Sequence, residues 1–135
     1  MNLAECAPYK DTVQPVRTVL VVDDNTLVRE IVCIILKDEG IRVFEADGPT
    51  MALKLVEQFD TPPDLLICDI CMPTMSGPEL YRLIEQRFPE QPVLFITAYP
   101  DEHLRCVDAV VTEECLLRKP FRCAELVERV ERMLG

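Results

Sequence analysis

The chain has 135 residues, of which 49% are hydrophobic and 28% are charged. This length suits one domain with one core, and the composition is typical of a folded globular protein rather than of a disordered one. The formal net charge of -10 at pH 7 argues against nucleic-acid binding, which needs clustered Lys and Arg, and favours a cation or a basic protein surface as partner.

Strands and helices are predicted to alternate along the chain after a short tail over residues 1–17. Short apolar runs predict strands, in chain order, over residues 18–22, 42–46, 65–68, 93–97 and 115–118. Longer amphipathic stretches predict helices over residues 25–39, 49–59, 78–87, 101–110 and 122–133. This alternation predicts an α/β fold: a flavodoxin-like, doubly wound, five-stranded parallel sheet in the order 2-1-3-4-5, with helices on both faces.

The apolar runs, the N-terminal residues and the cysteine content together indicate a reducing compartment. No apolar run approaches the ~20 residues needed to cross a bilayer, and residues 1–17 lack the basic start and apolar centre of a signal peptide. The number of cysteines is odd, at seven, and most lie in apolar runs, so we expect small buried side chains. Cys68 and Cys71 form a C-x-x-C, but the second pair that a zinc site needs is missing. We therefore expect a cytoplasmic protein with its domain over residues 18–135.

Polar side chains follow the predicted strands on either side of the point where strand order reverses. Asp23 and Asp24 come directly after the first strand, and Asp69 comes after the third. The fourth strand ends in Thr97, and the fifth runs into Lys119. Ligands of open parallel sheets bind at the carboxyl ends of the strands, at this reversal point. We therefore expect these side chains to share one site.

Three crowded carboxylates raise each other's pKa and destabilise a site unless a cation is present. Mg²⁺ favours a few carboxylates together with water and phosphate oxygens. An aspartate in such a site can act as a nucleophile and form an aspartyl phosphate, with Lys119 and Thr97 contacting phosphoryl oxygens. Each residue alone has an ordinary structural explanation, such as a helix N-cap for Asp23-Asp24. Their combination at matching strand ends favours a phosphoryl-transfer site with bound Mg²⁺.

The chain resembles the receiver domain of two-component response regulators over residues 18–134. The similarity is carried by VVDDN at 21–25, DLLICDICMPTMSG at 64–77, ITA at 96–98 and RKPF at 118–121. The resemblance implies that Asp69 is the phosphate acceptor and that Thr97 and Lys119 sense the phosphoryl group. It implies metal ligation by Asp23, Asp24, Asp69 and the backbone carbonyl of Cys71. It also implies a cis Lys119–Pro120 peptide bond.

The departures from the receiver pattern concern signal transmission rather than phosphorylation. Leu116 stands three positions before the lysine, where receivers usually carry an aromatic residue. Thr112-Glu113 replaces the usual Gly-Ala pair, and Tyr99 lies two residues after Thr97. His103 is the only histidine, and we interpret it as helix surface.

The first predicted helix has more apolar residues than one core-facing stripe requires. They are Leu27, Val28, Ile31, Val32, Ile34, Ile35 and Leu36. Such a surplus indicates either docking of a histidine kinase or phosphotransfer protein, which receivers commonly meet there, or a cover supplied by the N-terminal tail. The sequence leaves the two open.

We therefore expect a stand-alone receiver that is not an enzyme, although receivers catalyse their own phosphorylation and dephosphorylation. Its output to a downstream protein is expected on the predicted helix 101–110, the fifth strand and the last helix, with Arg105, Leu116 and Arg118 as candidate contacts. The alternatives are a receiver cut from a larger regulator or hybrid histidine kinase, a receiver that works without phosphate, and a haloacid-dehalogenase-type phosphatase. The last class carries a D-x-D after its first strand, which this chain lacks.

Overall fold

The structure, a computed structural model, describes residues 16–98 and 110–135. Its strands form one parallel sheet in the order β2-β1-β3-β4-β5. They are β1 (Thr18–Val22), β2 (Arg42–Ala46), β3 (Leu65–Asp69), β4 (Val93–Thr97) and β5 (Leu116–Arg118). The predicted fold class and strand order are confirmed.

Four α-helices lie in the described residues, together with a 3₁₀ turn over Glu113–Cys115 that precedes β5. They are α1 (Thr26–Asp38), α2 (Pro49–Gln58), α3 (Gly77–Arg87) and α4 (Cys123–Leu134). The predicted boundaries are correct to within one residue, and Cys115 belongs to the 3₁₀ turn rather than to the fifth strand. The predicted helix over residues 101–110 lies outside the described residues except for Val110.

Local sequence signals explain where the helices begin and end. The side chain of Asn25 accepts a hydrogen bond from the Val28 amide and caps α1. This amide lies in the first turn and has no acceptor within the helix. At the other end, Gly40 has a φ of 80°, a left-handed conformation that glycine adopts without a side-chain penalty. Ser76 and Glu79 form a reciprocal capping box at the start of α3.

The helices cover both faces of the sheet. Buried residues of α2 and α3 pack on one face, and buried residues of α1 and α4 pack on the other. Every residue of β3 and β4 is buried, as expected for central strands of a parallel sheet. Because all five strands run the same way, the carboxyl ends of β1, β3 and β4 meet at one edge.

The cysteine prediction is correct only in part. Cys33 and Cys68 are buried and Cys115 is partly buried, but Cys71 and Cys123 are exposed. Cys68 lies within β3 and packs in the core, whereas Cys71 lies in the loop after the strand has ended. The five cysteines of the described ranges are free thiols. Cys6 and Cys106 lie outside those ranges.

Within residues 16–98 and 110–135, no helix has the length and apolar character required to cross a bilayer.

Candidate functional site

Three carboxylates meet at the carboxyl edge of the sheet, where β1 and β3 lie side by side. One oxygen of each of Asp23, Asp24 and Asp69 lies within 4.8 Å of the others. Asp23 and Asp24 follow β1 directly, and Asp69 is the last residue of β3. The structure therefore places these three carboxylates together, where the sequence analysis expected a shared site.

Asp23 is fully buried and held on several sides. Its amide donates to the carbonyl of Ala46 at 3.2 Å, at the end of β2. Its carboxylate accepts a hydrogen bond from the Asn25 amide at 2.9 Å and one from Lys119 Nζ at 3.3 Å. A buried carboxylate is costly unless it is paired and hydrogen-bonded, and each of these contacts offsets that cost.

Lys119 supplies the positive charge of the site. Its Nζ lies 3.3 Å from Asp23 and 3.8 Å from Asp69. Its amide donates to the carbonyl of Thr97 at 2.7 Å, so the end of β5 is fixed against the end of β4. The Lys119–Pro120 peptide bond is cis, as the resemblance implied.

Asp69 is only 7% exposed. Burial, together with the charge of Asp23, raises the pKa of the Asp69 carboxyl from 3.8 to about 7, against the opposing effects of Lys119 and of a hydrogen bond from the Cys71 amide. One lysine therefore does not offset the crowding of the carboxylates. The site as built favours an additional positive charge.

Thr97 and Cys71 adjoin the carboxylate cluster. Thr97 is buried at the end of β4, one residue beyond the pairing of Asp69 with Ile96. Cys71 is exposed and contributes its amide to Asp69. The structure thus brings Asp23, Asp24, Asp69 and Lys119 into contact distance and places Thr97 and Cys71 beside them.

The donor set suits Mg²⁺. The cluster offers three carboxylates against one ammonium group, and the raised pKa of Asp69 reflects the excess negative charge. Asp23, Asp24, Asp69 and the Cys71 carbonyl are the groups that would hold the ion. Their individual roles as ligands stay a prediction.

Gly77, to which the sequence analysis assigned no role, allows the site to form. A Cβ at this position would lie well inside van der Waals contact of the Asp69 carbonyl oxygen and 3.1 Å from Ile70 Cα. The Gly77 amide also donates to the Ile70 carbonyl at 2.8 Å. The start of α3 therefore packs directly on the backbone that carries Asp69, and the signal in the sequence was a glycine just inside a capped helix.

A family model decides the assignment. The model described as the response regulator receiver domain matches residues 19–131. The chain belongs to this family. Receivers are the signalling switches of two-component phosphorelays, they use Mg²⁺ at an acidic cluster, and they interact with histidine kinases. The assignment excludes the haloacid-dehalogenase alternative.

Similar proteins include a transcriptional regulator, a sensor histidine kinase and a chemotaxis protein. The chain is 33% identical to the alkaline phosphatase synthesis transcriptional regulatory protein SphR of Synechococcus elongatus, covering 89% of this chain and 49% of SphR. It is 35% identical to the sensor histidine kinase TmoS of Ectopseudomonas mendocina, covering 87% of this chain and 12% of TmoS. The chain therefore spans half or less of these relatives. The structure of chemotaxis protein CheY4 from Vibrio cholerae matches with a TM-score of 0.78 and 26% identity, covering 88% of this chain and 99% of CheY4.

The structure gives different outcomes for the residues predicted to contact a downstream protein. Leu116 is only 4% exposed and packs in the core beside Phe95, so its prediction as a contact residue is wrong: the side chain points inward from β5. Arg118 is partly buried, and its Nη2 lies 2.7 Å from a carboxylate oxygen of Glu113. Arg105, Tyr99 and His103 lie outside the described residues.

The surplus apolar surface of α1 is confirmed. Leu27, Ile31 and Ile34 are 66%, 44% and 67% exposed. Their spacing places them on one face of the helix. Beside Ile31, a groove of about 470 Å³ runs between α1 and the segment after β5, where Pro120 and Phe121 line it.

Proposed function

We propose that Asp69 accepts a phosphoryl group from the phosphohistidine of a kinase or phosphotransfer protein, in a reaction that requires Mg²⁺. The observation that carries the proposal is a buried carboxylate in a cluster of three, with a lysine ammonium 3.8 Å away. An Asp69 oxygen attacks the phosphorus while the phosphorus–nitrogen bond breaks, and its electron pair returns to the imidazole. Receiver family membership supports this assignment.

Each site residue has a different proposed role in phosphoryl transfer. Asp69 must be ionised to attack, and its pKa of about 7 means that much of it is protonated near neutral pH when no cation is present. Bound Mg²⁺ supplies positive charge that favours the ionised carboxylate and stabilises charge on the phosphoryl oxygens. Lys119 is placed to contact one phosphoryl oxygen as a point charge, and the Thr97 hydroxyl is proposed to donate to another.

Signal transmission is proposed to begin with movement of Thr97 and Lys119 toward the phosphoryl group. The backbones of these residues are joined by a hydrogen bond of 2.7 Å, so they should move together. Because Leu116 is a buried aliphatic residue, an aromatic side chain that rotates between two positions is not part of this switch at that position.

Intact-mass analysis after incubation with acetyl phosphate and Mg²⁺ tests the acceptor. We expect one added phosphoryl group on the wild-type protein, and none after Asp69→Asn or in the presence of EDTA. The slow loss of this adduct after removal of acetyl phosphate would measure the intrinsic dephosphorylation that we also propose. Labelling of the Asp69→Asn variant at the wild-type rate would refute the acceptor assignment. No adduct despite measured Mg²⁺ binding would favour a receiver that acts without phosphate.

The histidine-containing donor is proposed to dock on the exposed apolar face of α1. The face lies next to the groove, which Lys119 helps to line, so a helix bound there would bring its histidine toward the acidic site. Ile34→Glu should slow phosphotransfer from the cognate kinase about tenfold or more while acetyl phosphate labelling is unchanged.

Met51→Glu is the matched control for this docking surface. Met51 is 45% exposed on α2, on the opposite face of the sheet, and the substitution adds the same charge. Its phosphotransfer rate should equal that of wild type. Equal rates for the Ile34→Glu and Met51→Glu variants would eliminate α1 as the docking surface and would favour a cover formed by the N-terminal tail over residues 1–17.

The architecture around the receiver is part of the proposal. A separate receiver, with a tail over residues 1–17 and its domain over 18–135, remains our prediction, with output through protein contacts in the cytoplasm. The similarity to SphR and TmoS supports the alternative in which the same unit belongs to a larger regulator or kinase. The phosphoacceptor chemistry is the same in both, and the length of the protein purified from its native source would distinguish them.

A further inference from the structure

Arg29, in the first turn of α1, connects the acidic site to the edge strand of the sheet. Its Nη1 donates to the backbone carbonyl oxygen of Asp23 at 2.8 Å. Its Nε lies 3.2 Å from Glu45 Oε1 on β2. The Arg29 side chain is only 13% exposed, whereas that of Glu45 is 43% exposed. A guanidinium is a rigid planar fork, so each of these two contacts restrains the other.

The bond from Arg29 completes the set of contacts that fix Asp23. The Asp23 amide is held by β2, and its carboxylate by Asn25 and Lys119. The carbonyl is held by Arg29. Because a peptide unit is planar, fixing this carbonyl also fixes the orientation of the peptide bond that leads into Asp24.

Asp24 depends on this backbone for its direction. It is exposed, and within residues 16–98 and 110–135 no hydrogen bond or ion pair to its carboxylate is observed. Asp23 and Asp69, in contrast, both contact Lys119. The position of the Asp24 carboxylate in the cluster is therefore set by the turn between β1 and α1, and one corner of that turn is held by Arg29.

We propose that Arg29 is a positioning residue that orients the Asp23–Asp24 turn for Mg²⁺ binding, and that Glu45 holds the guanidinium in place. The inference rests on the proposed Mg²⁺ site. Partners that orient metal ligands without touching the metal typically contribute 10–100-fold to affinity. Arg29 contacts the backbone of Asp23 rather than its carboxylate. We therefore expect its contribution to Mg²⁺ affinity to lie at the lower end of this range.

Charge alone predicts the opposite effect, which makes the inference testable. Arg29 places a positive charge beside a cation site, so its removal should strengthen Mg²⁺ binding if only electrostatic repulsion mattered. Loss of an orienting hydrogen bond should weaken binding instead. The direction of the change therefore separates a positioning role from a charge effect.

Isothermal titration calorimetry with Mg²⁺ on the full chain would measure this direction. We expect Arg29→Met to weaken Mg²⁺ binding about tenfold, and Arg29→Lys, whose ammonium can still donate to the Asp23 carbonyl, to restore it to within about threefold of wild type. Arg132→Met removes the same charge from an exposed position on α4 and should bind like wild type. Unchanged or tighter binding by the Arg29→Met variant would overturn the inference, as would a Lys variant as weak as the Met variant.

A second pair of variants tests the inference even if Arg29→Met does not fold. Glu45→Gln and Glu45→Leu remove the same charge, but only the glutamine keeps an oxygen that can accept from Arg29 Nε. We expect the Leu variant to bind Mg²⁺ about threefold more weakly than the Gln variant, and equal affinities would contradict the role of Glu45. Absence of Mg²⁺ binding by the wild-type chain would instead refute the proposed function itself.

Discussion

Burial has opposite effects on stability in the interior of the sheet and at its carboxyl edge. Inside, β3 and β4 are buried along their whole length, and apolar side chains pack on both faces. At the edge, Asp23 and Asp69 are nearly as buried, but their charges repel each other. The interior gains stability from removing apolar surface from water, whereas the edge gives up stability to hold a reactive carboxylate.

This contrast separates the two kinds of substitution that affect a switch. A smaller side chain in the interior should lower stability without changing the chemistry of the site directly. A neutral side chain in place of the Asp69 carboxylate should raise stability and abolish the chemistry. Substitutions in each region, and at the junction between them, would test this division.

Phe95→Ala should produce the largest loss of stability. Phe95 is fully buried in β4, and its ring packs edge-to-face on Tyr81 with centroids 6.1 Å apart. Truncation of a buried phenylalanine costs about 3–5 kcal/mol, from lost burial and the cavity that remains, a large share of the stability of a small domain. Urea unfolding followed by circular dichroism would measure this loss, and a value below about 1 kcal/mol would contradict tight packing around Phe95.

Asp69→Asn should stabilise the metal-free protein in a pH-dependent way. The folded-state pKa of Asp69 is about 7, above the ordinary value of 3.8. Between these values the folded state binds a proton that the unfolded state does not, so this group's contribution to stability falls as pH rises from about 4 to about 7. The cost is then complete at pH 8 and absent below pH 4. We expect the variant to exceed wild type by on the order of 1–3 kcal/mol at pH 8 and by little at pH 4.

Mg²⁺ provides an internal check on that result. It should stabilise wild type at pH 8 more than the Asp69→Asn variant, because only wild type has the third carboxylate to neutralise. Asp60→Asn, a neutralisation of an exposed aspartate, is the control for a general effect of net charge. A difference between wild type and the Asp69→Asn variant that does not depend on pH would rule out the ionisation of Asp69 as its cause.

Gly77→Ala tests the junction between the two regions. The added methyl group would clash with the backbone of Asp69 and Ile70, and backbone atoms cannot move aside as a flexible side chain can. We expect a loss of about 1–2 kcal/mol in urea unfolding, together with slower acetyl phosphate labelling. Gly48→Ala, at a glycine with open space around it, should leave labelling unchanged. If both variants behave alike, the close approach of α3 to β3 is not required.

The sequence predicts the interior and the list of edge residues well, for a physical reason. A strand buried on both faces must be apolar throughout, so β3 and β4 stand out as short runs. The abrupt change from apolar residues to Asp69 or Thr97 marks the carboxyl end of each strand. Because all strands are parallel, one topological rule then brings these strand ends together.

The sequence does not predict contacts that depend on how distant segments pack. The close approach of Gly77 to Asp69 and the bridge from Arg29 to Glu45 join segments whose separation is set only by the fold. The sequence likewise does not predict which way an individual side chain points. Leu116 was expected on the surface, but it points into the core because the alternation of β5 places it beside Phe95.

Glu131→Gln at the opposite edge of the sheet should have the smallest effect. Arg17, next to β1, forms two hydrogen bonds with the Glu131 carboxylate on α4, at 3.1 and 3.2 Å, with side chains 30% and 42% exposed. Partly exposed ion pairs of this kind contribute about 0.2–1 kcal/mol and weaken with salt. We expect a loss in that range at low salt that shrinks at 1 M NaCl. A loss as large as the gain from Asp69→Asn would mean that a partly exposed charge affects stability as much as a buried one. Burial of charge would then not be what sets the carboxyl edge apart from the rest of the molecule.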